Sequence, residues 1–346
     1  VSAPVLAGRD DLGRRFYTFG DPPEAFWSVT TIISGGVPKF LHAHYAKMAA
    51  ELAFDAILER GPYSRPTAII NRLAARGRAW VAERQAAGEL TSIKLAKLGP
   101  RDLALRWIKG AADRHRDAAA ERGSAVHAEA ELLVLSHARE AARLYLDHQA
   151  IAPWPEDLAA YQRAFVAWVD DFHPEFLAAE ASVFNRTQAY AGTLDTIIRI
   201  LAGDLVTAIE AIGGPRLVRR FEVELWEWLR ALDPETPIQV IVDFKTGKAV
   251  YAEVALQLAP YARGEFIGAP DGRTELPMIP VDLGAVLHLR ADGTYQFRLV
   301  RIDESIFAAF CFAREVYRFV NETAKTVLLQ DLTPSPAPEP EAVEVA

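Results

Sequence analysis

Apolar residues recur along this chain with two different periods, and the change from one to the other sets its organisation. An N-terminal lead-in, residues 1–37, looks strand-rich. Its segment Ser28–Ile33 (SVTTII) is β-prone and is punctuated by Gly35, Gly36 and Pro38. Leu41, Tyr45, Met48, Ala49, Leu52 and Ile57 then fall at near-helical intervals. Pro62 and Pro66 interrupt that run, helix resumes through Trp80, and Gly99-Pro100 closes it. A long helix is expected from about Arg101 to His137, with further helix until Pro153 and Pro155. Residues 156–172 predict an amphipathic helix with Leu158, Tyr161, Phe165, Trp168 and Phe172 on one face. After Pro174 the pattern becomes that of strands: Phe176–Phe184 and Tyr190–Leu201, joined by a turn at Asn185-Arg186. Residues 202–236 read as an insertion. Its first part looks helical, Gly213-Gly214-Pro215 breaks it, and FEVELWEWL fits strand or helix. Gln239–Lys245 (QVIVDFK) is a buried-strand signal, and residues 251–263 read as a helix. Leu283–Leu289 and Tyr295–Val300 predict a hairpin around Asp292-Gly293, and a last helix runs from about Glu304 to Leu328. This order predicts an α/β (α+β) chain with a central mixed sheet flanked by helices and a helical N-terminal region.

Composition narrows the class. The chain has 346 residues, 51% of them hydrophobic and 24% charged, which suits a folded globular protein of about two domains' length. A single cysteine, Cys311, excludes an internal disulfide framework and any four-cysteine zinc or iron–sulfur site. It fits a reducing compartment. No apolar run is long enough to span a bilayer, and residues 1–10 lack the apolar core of a signal peptide. A cytoplasmic protein with no membrane partner is therefore expected. The net charge is −8, which alone disfavours a nucleic-acid partner. Its distribution does not: residues 60–116 carry 13 Lys or Arg against 4 Asp or Glu, leaving −17 for the rest. Either one lobe meets a polyanion, through residues such as Arg72, Arg76, Arg78 and Arg122, or the excess is a solvated helical surface. Thr333–Ala346, with four prolines and three glutamates, cannot build a core and reads as a disordered tail from about residue 331, inert or partner-binding.

Four short elements carry candidate chemistry. In VDFKTGK, Asp243 and Lys245 are two apart on a strand, so their side chains share a face while Phe244 points to the other. This is either a structural ion pair or a metal site with a lysine beside it. In YAGTLD, Gly192 permits close backbone approach, and Asp195 lies in an otherwise apolar strand. Such a carboxylate is costly unless paired, metal-bound or on an exposed edge. In RGSAVH, Gly123 and His127 are i and i+4 on one helix face. The imidazole is a ligand or a satisfied structural histidine. In QLAPY, Gln257 and Tyr261 are again i and i+4.

Taken in order, R-G-x-x-x-H, G-T-L-D, D-F-K-T-G-K and Q-L-x-x-Y closely resemble the RecB-like branch of the PD-(D/E)XK nuclease superfamily, nearest its CRISPR-associated and phage-encoded exonucleases. The resemblance covers roughly residues 115–300; the first hundred residues and the tail lie outside it. It implies a restriction-endonuclease-like core over residues 101–330, interrupted by the insertion 202–236. It implies that His127, Asp195, Asp243 and the Phe244 backbone carbonyl bind metal, with Glu180 as a supporting acid. Lys245 would be the superfamily lysine, and Gln257 and Tyr261 would help hold the lysine or a DNA phosphate. Oxygen donors favour Mg²⁺, and an imidazole ligand shifts preference toward Mn²⁺. The implied activity is metal-dependent DNA hydrolysis, most readily by an exonuclease, on single- or double-stranded DNA in recombination, repair or replication. The setting would be the cytoplasm, of a bacterial host cell if the protein is phage-encoded. A non-catalytic DNA-end-binding or recombination adaptor is the alternative. The tail could recruit a recombination or replication protein. The chain departs from iron–sulfur members by lacking their cysteines, and it carries no Walker-type phosphate loop.

Overall fold

The computed structural model describes residues 6–11, 13–37, 66–87, 93–137, 154–211, 213–214 and 220–328. The helical periodicity expected over Leu41–Ile57 and the tail from residue 331 lie outside the described residues.

The expected mixed α/β architecture is what the chain adopts. Ten strands among the described residues form one mixed sheet. They are β1 (Ala7–Arg9), β2 (Arg15–Phe19), β3 (Glu24–Ser28), β4 (Glu175–Asn185), β5 (Tyr190–Leu201), β6 (Pro237–Lys245), β7 (Phe266–Gly268), β8 (Glu275–Pro277), β9 (Leu283–Leu289) and β10 (Tyr295–Val300). The helices are α1 (Val29–Gly36), α2 (Pro66–Ala86), α3 (Pro100–Lys109), α4 (Ala111–His137), α5 (Ala159–Phe172), α6 (Ala202–Ala211), α7 (Arg220–Ala231), α8 (Val254–Ala262) and α9 (Glu304–Asn321). No helix among the described residues is long and apolar enough to cross a membrane.

The sheet forks at β5, and the fork positions the site. One edge of β5 pairs antiparallel with β4 along its length. The other edge is shared. Its first residues, Tyr190 and Ala191, pair parallel with Trp27 and Ser28 of β3, whereas Thr196–Leu201 pair antiparallel with Pro237–Val242 of β6. Gly192–Asp195 therefore face the gap between two diverging strands. Past Val242, β6 leaves β5 and continues alongside β9, with Asp243, Phe244 and Lys245 opposite Val286, Leu287 and His288.

Helices cover both faces, as strands buried on two sides require. Val240, Val242 and Phe244 of β6 and Ala285 and Leu287 of β9 pack against α4–α7, including Val126, Phe165, Trp168 and Leu205. The intervening Ile241 and Val286 pack on the opposite side against α1, α8 and α9, through Ile32, Leu258 and Phe310. The insertion thus contributes Leu205 and Leu229 to the core, and its ambiguous FEVELWEWL segment lies within helix α7. It leaves the pairing of β5 with β6 direct.

Three expectations need correction, the smallest being that the last helix, expected to about Leu328, ends at Asn321. Ser28–Ile33 is largely helical: α1 begins at Val29 and closes on the two glycines. Val29, Ile32 and Ile33 bury a common face against the core, and that packing outweighs the strand preference of β-branched residues. The long helix expected from Arg101 is two helices, broken at Gly110, which caps α3.

Candidate metal centre at the sheet fork

Asp195 lies on a central strand, at the fork, with its side chain only 12% exposed. The exposed-edge alternative is therefore excluded. Where β6 has left β5, the Asp195 carboxylate takes over from the missing backbone partner: Phe244 N–H donates to its Oδ2 at 2.6 Å. The Phe244 carbonyl on the same peptide strand lies 2.8 Å from His127 Nε2. With Nε2–H donating there, the imidazole turns Nδ1 toward Asp195, 3.5 Å from Oδ2. One backbone residue thus aligns a carboxylate and an imidazole, the kind of outer hydrogen bonding that fixes a metal-ligating histidine. The carbonyl expected as a metal ligand already has this partner, leaving it one lone pair.

Glu180 joins them through irregularity in β4. The strand is bulged between Phe176 and Ala178, and Glu180 itself is left-handed, with φ 44°. A non-glycine residue in that region costs about 1–2 kcal/mol. Bulges commonly re-aim a side chain near functional sites. Glu180 falls opposite Asp195, between the pairs Ala179–Thr196 and Ala181–Leu194. One donor atom each from His127, Glu180 and Asp195 lies within 4.8 Å of the others.

Like charges directly opposite on a strand pair repel, and the electrostatics record it. Burial, then the charges of Asp195 and Glu131, push the Glu180 carboxyl up to about 8. Burial also opposes ionisation of Asp195, but His127, Lys245 and the Phe244 N–H outweigh it and hold that carboxyl below its ordinary value. The His127 imidazolium, disfavoured by burial, is carried up to about 9 by Asp195. A divalent cation fits this donor set: one nitrogen and two oxygen donors converge, and the cation would relieve the repulsion that a proton now relieves on Glu180.

Asp243 stands beside this group. Lys245 Nζ is 2.5 Å from its Oδ2, a close ion pair. Burial pushes Asp243 up to about 6 despite the lysine. The shared face read from the D-x-K spacing is thus present as an ion pair, with Asp243 buried and Lys245 reaching solvent. The remaining motifs pack around it. A Cβ on Gly123 would lie 3.3 Å from Thr246 Oγ1, so RGSAVH rests on the loop after the lysine. A Cβ on Gly192 would lie 2.3 Å from the Tyr261 ring, so only glycine admits that ring beneath β5. Tyr261 is buried and hydrogen-bonded to Gln257, so the pair supports the site from below.

Arg122 is exposed on α4, five residues before His127. Arg72, Arg76 and Arg78 lie on α2, which packs against α3. Sequence reasoning missed Glu131, one helical turn after His127, whose charge raises Glu180. It also missed His288, buried on β9 with Nε2 2.6 Å from the Gly247 carbonyl, which ties down the loop after Lys245. The i, i+4 spacing of His127 and Glu131 carried a signal for the first; a lone histidine in an apolar strand carried little for the second.

No family model matches this chain, and no curated protein matches it.

Proposed function

We propose that this chain is a metal-dependent DNA nuclease of the RecB-like PD-(D/E)XK type, most readily an exonuclease. The observation that carries the reading is the convergence of His127, Glu180 and Asp195 beside the Asp243–Lys245 pair at the fork of the sheet. A site built only to bind DNA has no use for three clustered acidic side chains, Glu180, Asp195 and Asp243, whose ionised forms repel phosphate.

His127, Glu180 and Asp195 would hold Mg²⁺ or Mn²⁺, with Asp243 beside them. The ion, when bound, supplies charge neutralisation at a phosphodiester and a more acidic water. The protein's own groups do the rest. Asp243 fixes the Lys245 ammonium, whose remaining N–H donors face solvent and can stabilise anionic oxygen during phosphodiester hydrolysis. The Phe244 peptide holds His127 and Asp195 in register, so the donor set is preorganised before anything binds. The basic helices would track the phosphate backbone, making DNA binding strongly salt-dependent. No feature suggests base-edge readout, so cleavage without sequence preference is expected. The cytoplasm, and a recombination or replication partner at the tail, belong to the same proposal.

The test is cleavage of end-labelled linear and covalently closed circular DNA in Mg²⁺, Mn²⁺ or EDTA, by wild type and Asp195→Asn. Metal-dependent loss of the linear substrate alone, abolished in the variant, is the expected result. Cutting of circles would make it an endonuclease. DNA binding without cleavage in either metal would overturn the enzymatic reading in favour of an adaptor.

A further inference from the structure

Arg15 lies outside the stretch that resembles a nuclease, yet the fold brings it to the site. It is the first residue of β2, half-buried, and Thr31 Oγ1 fixes its backbone carbonyl with a 3.0 Å hydrogen bond. Tyr17 lies two residues further on and so shares its face. The Tyr17 hydroxyl reaches Thr193 Oγ1 on β5 at 3.0 Å, and Thr193 Oγ1 lies 3.4 Å from Ser182 Oγ on β4. Thr193 and Ser182 each stand two residues from a carboxylate of the cluster, Asp195 and Glu180. Because β2 is antiparallel to β3 and β3 parallel to β5, the step from Tyr17 to Arg15 runs in the direction from Thr193 to Asp195.

The guanidinium therefore comes to the rim of the cluster. It is near enough to Glu180 and to the Tyr17 hydroxyl to favour the ionised form of each. It forms no ion pair with any described residue. Its neighbours contrast with it: Lys245 is engaged by Asp243, and His127 by Asp195. A half-buried guanidinium with no ion pair, which spends a hydrogen bond on the Tyr17 hydroxyl and has five N–H donors in all, matches a ligand presenting two anionic oxygens.

We propose that Arg15 binds a phosphate of the DNA strand beside the His127–Glu180–Asp195 cluster. The inference rests on the nuclease reading and deepens it. The phosphate is either an internal phosphodiester or the terminal phosphate of a strand end; the chemistry of recognition is the same. The alternative is that Arg15 only balances Glu180.

Fluorescence anisotropy with the full chain in EDTA separates these, because no cleavage intervenes. The probes are one oligonucleotide with a 5′-phosphate, the same with a 5′-hydroxyl, and one with neutral methylphosphonate linkages near its end. Wild type, Arg15→Gln and Arg15→Lys are compared. Arg15→Gln is expected to weaken binding about tenfold or more, as loss of a charge-assisted hydrogen bond does. It should also shallow the logarithmic salt dependence by about one. Arg15→Lys should fall between and guards against misfolding of the first variant. The weakening should disappear on the probe that lacks the contacted phosphate: the 5′-hydroxyl probe for a terminal phosphate, the methylphosphonate probe for an internal one. Equal binding by Arg15→Gln and wild type, or equal weakening on all three probes with unchanged salt dependence, overturns the proposal. If wild type nevertheless cleaves DNA in a metal- and Asp195-dependent way, the nuclease reading survives that failure. A wild type that binds none of the probes overturns the proposal, and one that also fails to cleave DNA in either metal overturns both.

Discussion

Gly192→Ala tests whether the G-T-L-D and Q-L-x-x-Y motifs are one packed unit. The added Cβ would lie 2.3 Å from Tyr261 Cε1, 3.0 Å from Cζ and 3.1 Å from the hydroxyl. The ring cannot swing clear, since Tyr261 is 3% exposed. Nor can the strand back away easily, because β5 pairs with three other strands. Overpacking of this kind costs about 1–3 kcal/mol. Displacing the ring also breaks the hydrogen bond to Gln257, for about 1 kcal/mol more. Against this, alanine in a strand recovers about 0.5–1 kcal/mol of backbone entropy relative to glycine. The net expectation is a loss of about 1–3.5 kcal/mol.

A double-mutant cycle read by urea denaturation isolates the contact. Tyr261→Leu removes the ring that the new methyl would strike, so Gly192→Ala should cost little in that background. The coupling should be a large part of the single-variant loss, within the range of about 0.5–3 kcal/mol for residues in contact. If Gly192→Ala is neutral, or costs the same in both backgrounds, the close approach of Tyr261 to β5 is not what the glycine serves.

Two further outcomes follow from the charges. Glu180 is held near 8 when folded and near about 4 when unfolded. The folded chain therefore binds more protons between these values, and its metal-free stability falls as pH rises from about 4 to about 8. Thermal melts in EDTA should show Glu180→Gln removing much of that fall, and melts in Mn²⁺ without EDTA should show the variant losing the stabilisation that the ion gives wild type; an unchanged pH slope would refute the raised Glu180 carboxyl. At the other end of the chain, Asp303 caps α9 by accepting the Ser305 and Ile306 N–H groups, and its carboxyl is held down to about 2, chiefly by the Ser305 hydroxyl. Its contribution is complete above about pH 4 and lost as pH falls through about 2. Asp303→Ala should cost about 1 kcal/mol at neutral pH, and a urea midpoint equal to wild type there would refute the capping role.

Strands β4, β5, β6, β9 and β10 were legible because each carries a short apolar run between breakers, and α5 because it carries a repeating apolar face; the three-residue strands β7 and β8 are too short to leave such a pattern. Ser28–Ile33 was misread because local β-branching and helical burial conflict there, and only the tertiary partner decides. The site divides along a similar line. Asp243 and Lys245 were readable as a pair because two-residue spacing on a strand fixes a shared face whatever the rest of the fold does. Asp195 was readable as anomalous, since an apolar strand has no use for an unpaired carboxylate, but its partners were not: they depend on where β6 leaves β5. Glu180 depends on a bulge and a left-handed residue that no periodicity announces, and Arg15 on three strands that precede the motifs by more than ninety residues. The fork itself explains why these groups belong together. Where two strands diverge, backbone donors lose their partners, and side chains must take their place. Asp195 and His127 do so at the Phe244 peptide, and in satisfying that peptide they are held in a fixed relation to each other and to Glu180. The need to satisfy a diverging sheet and the need to gather anionic ligands are met by the same residues, so a substitution such as Asp195→Asn should disturb ion binding far more than the fold, because the amide oxygen can still accept the Phe244 N–H.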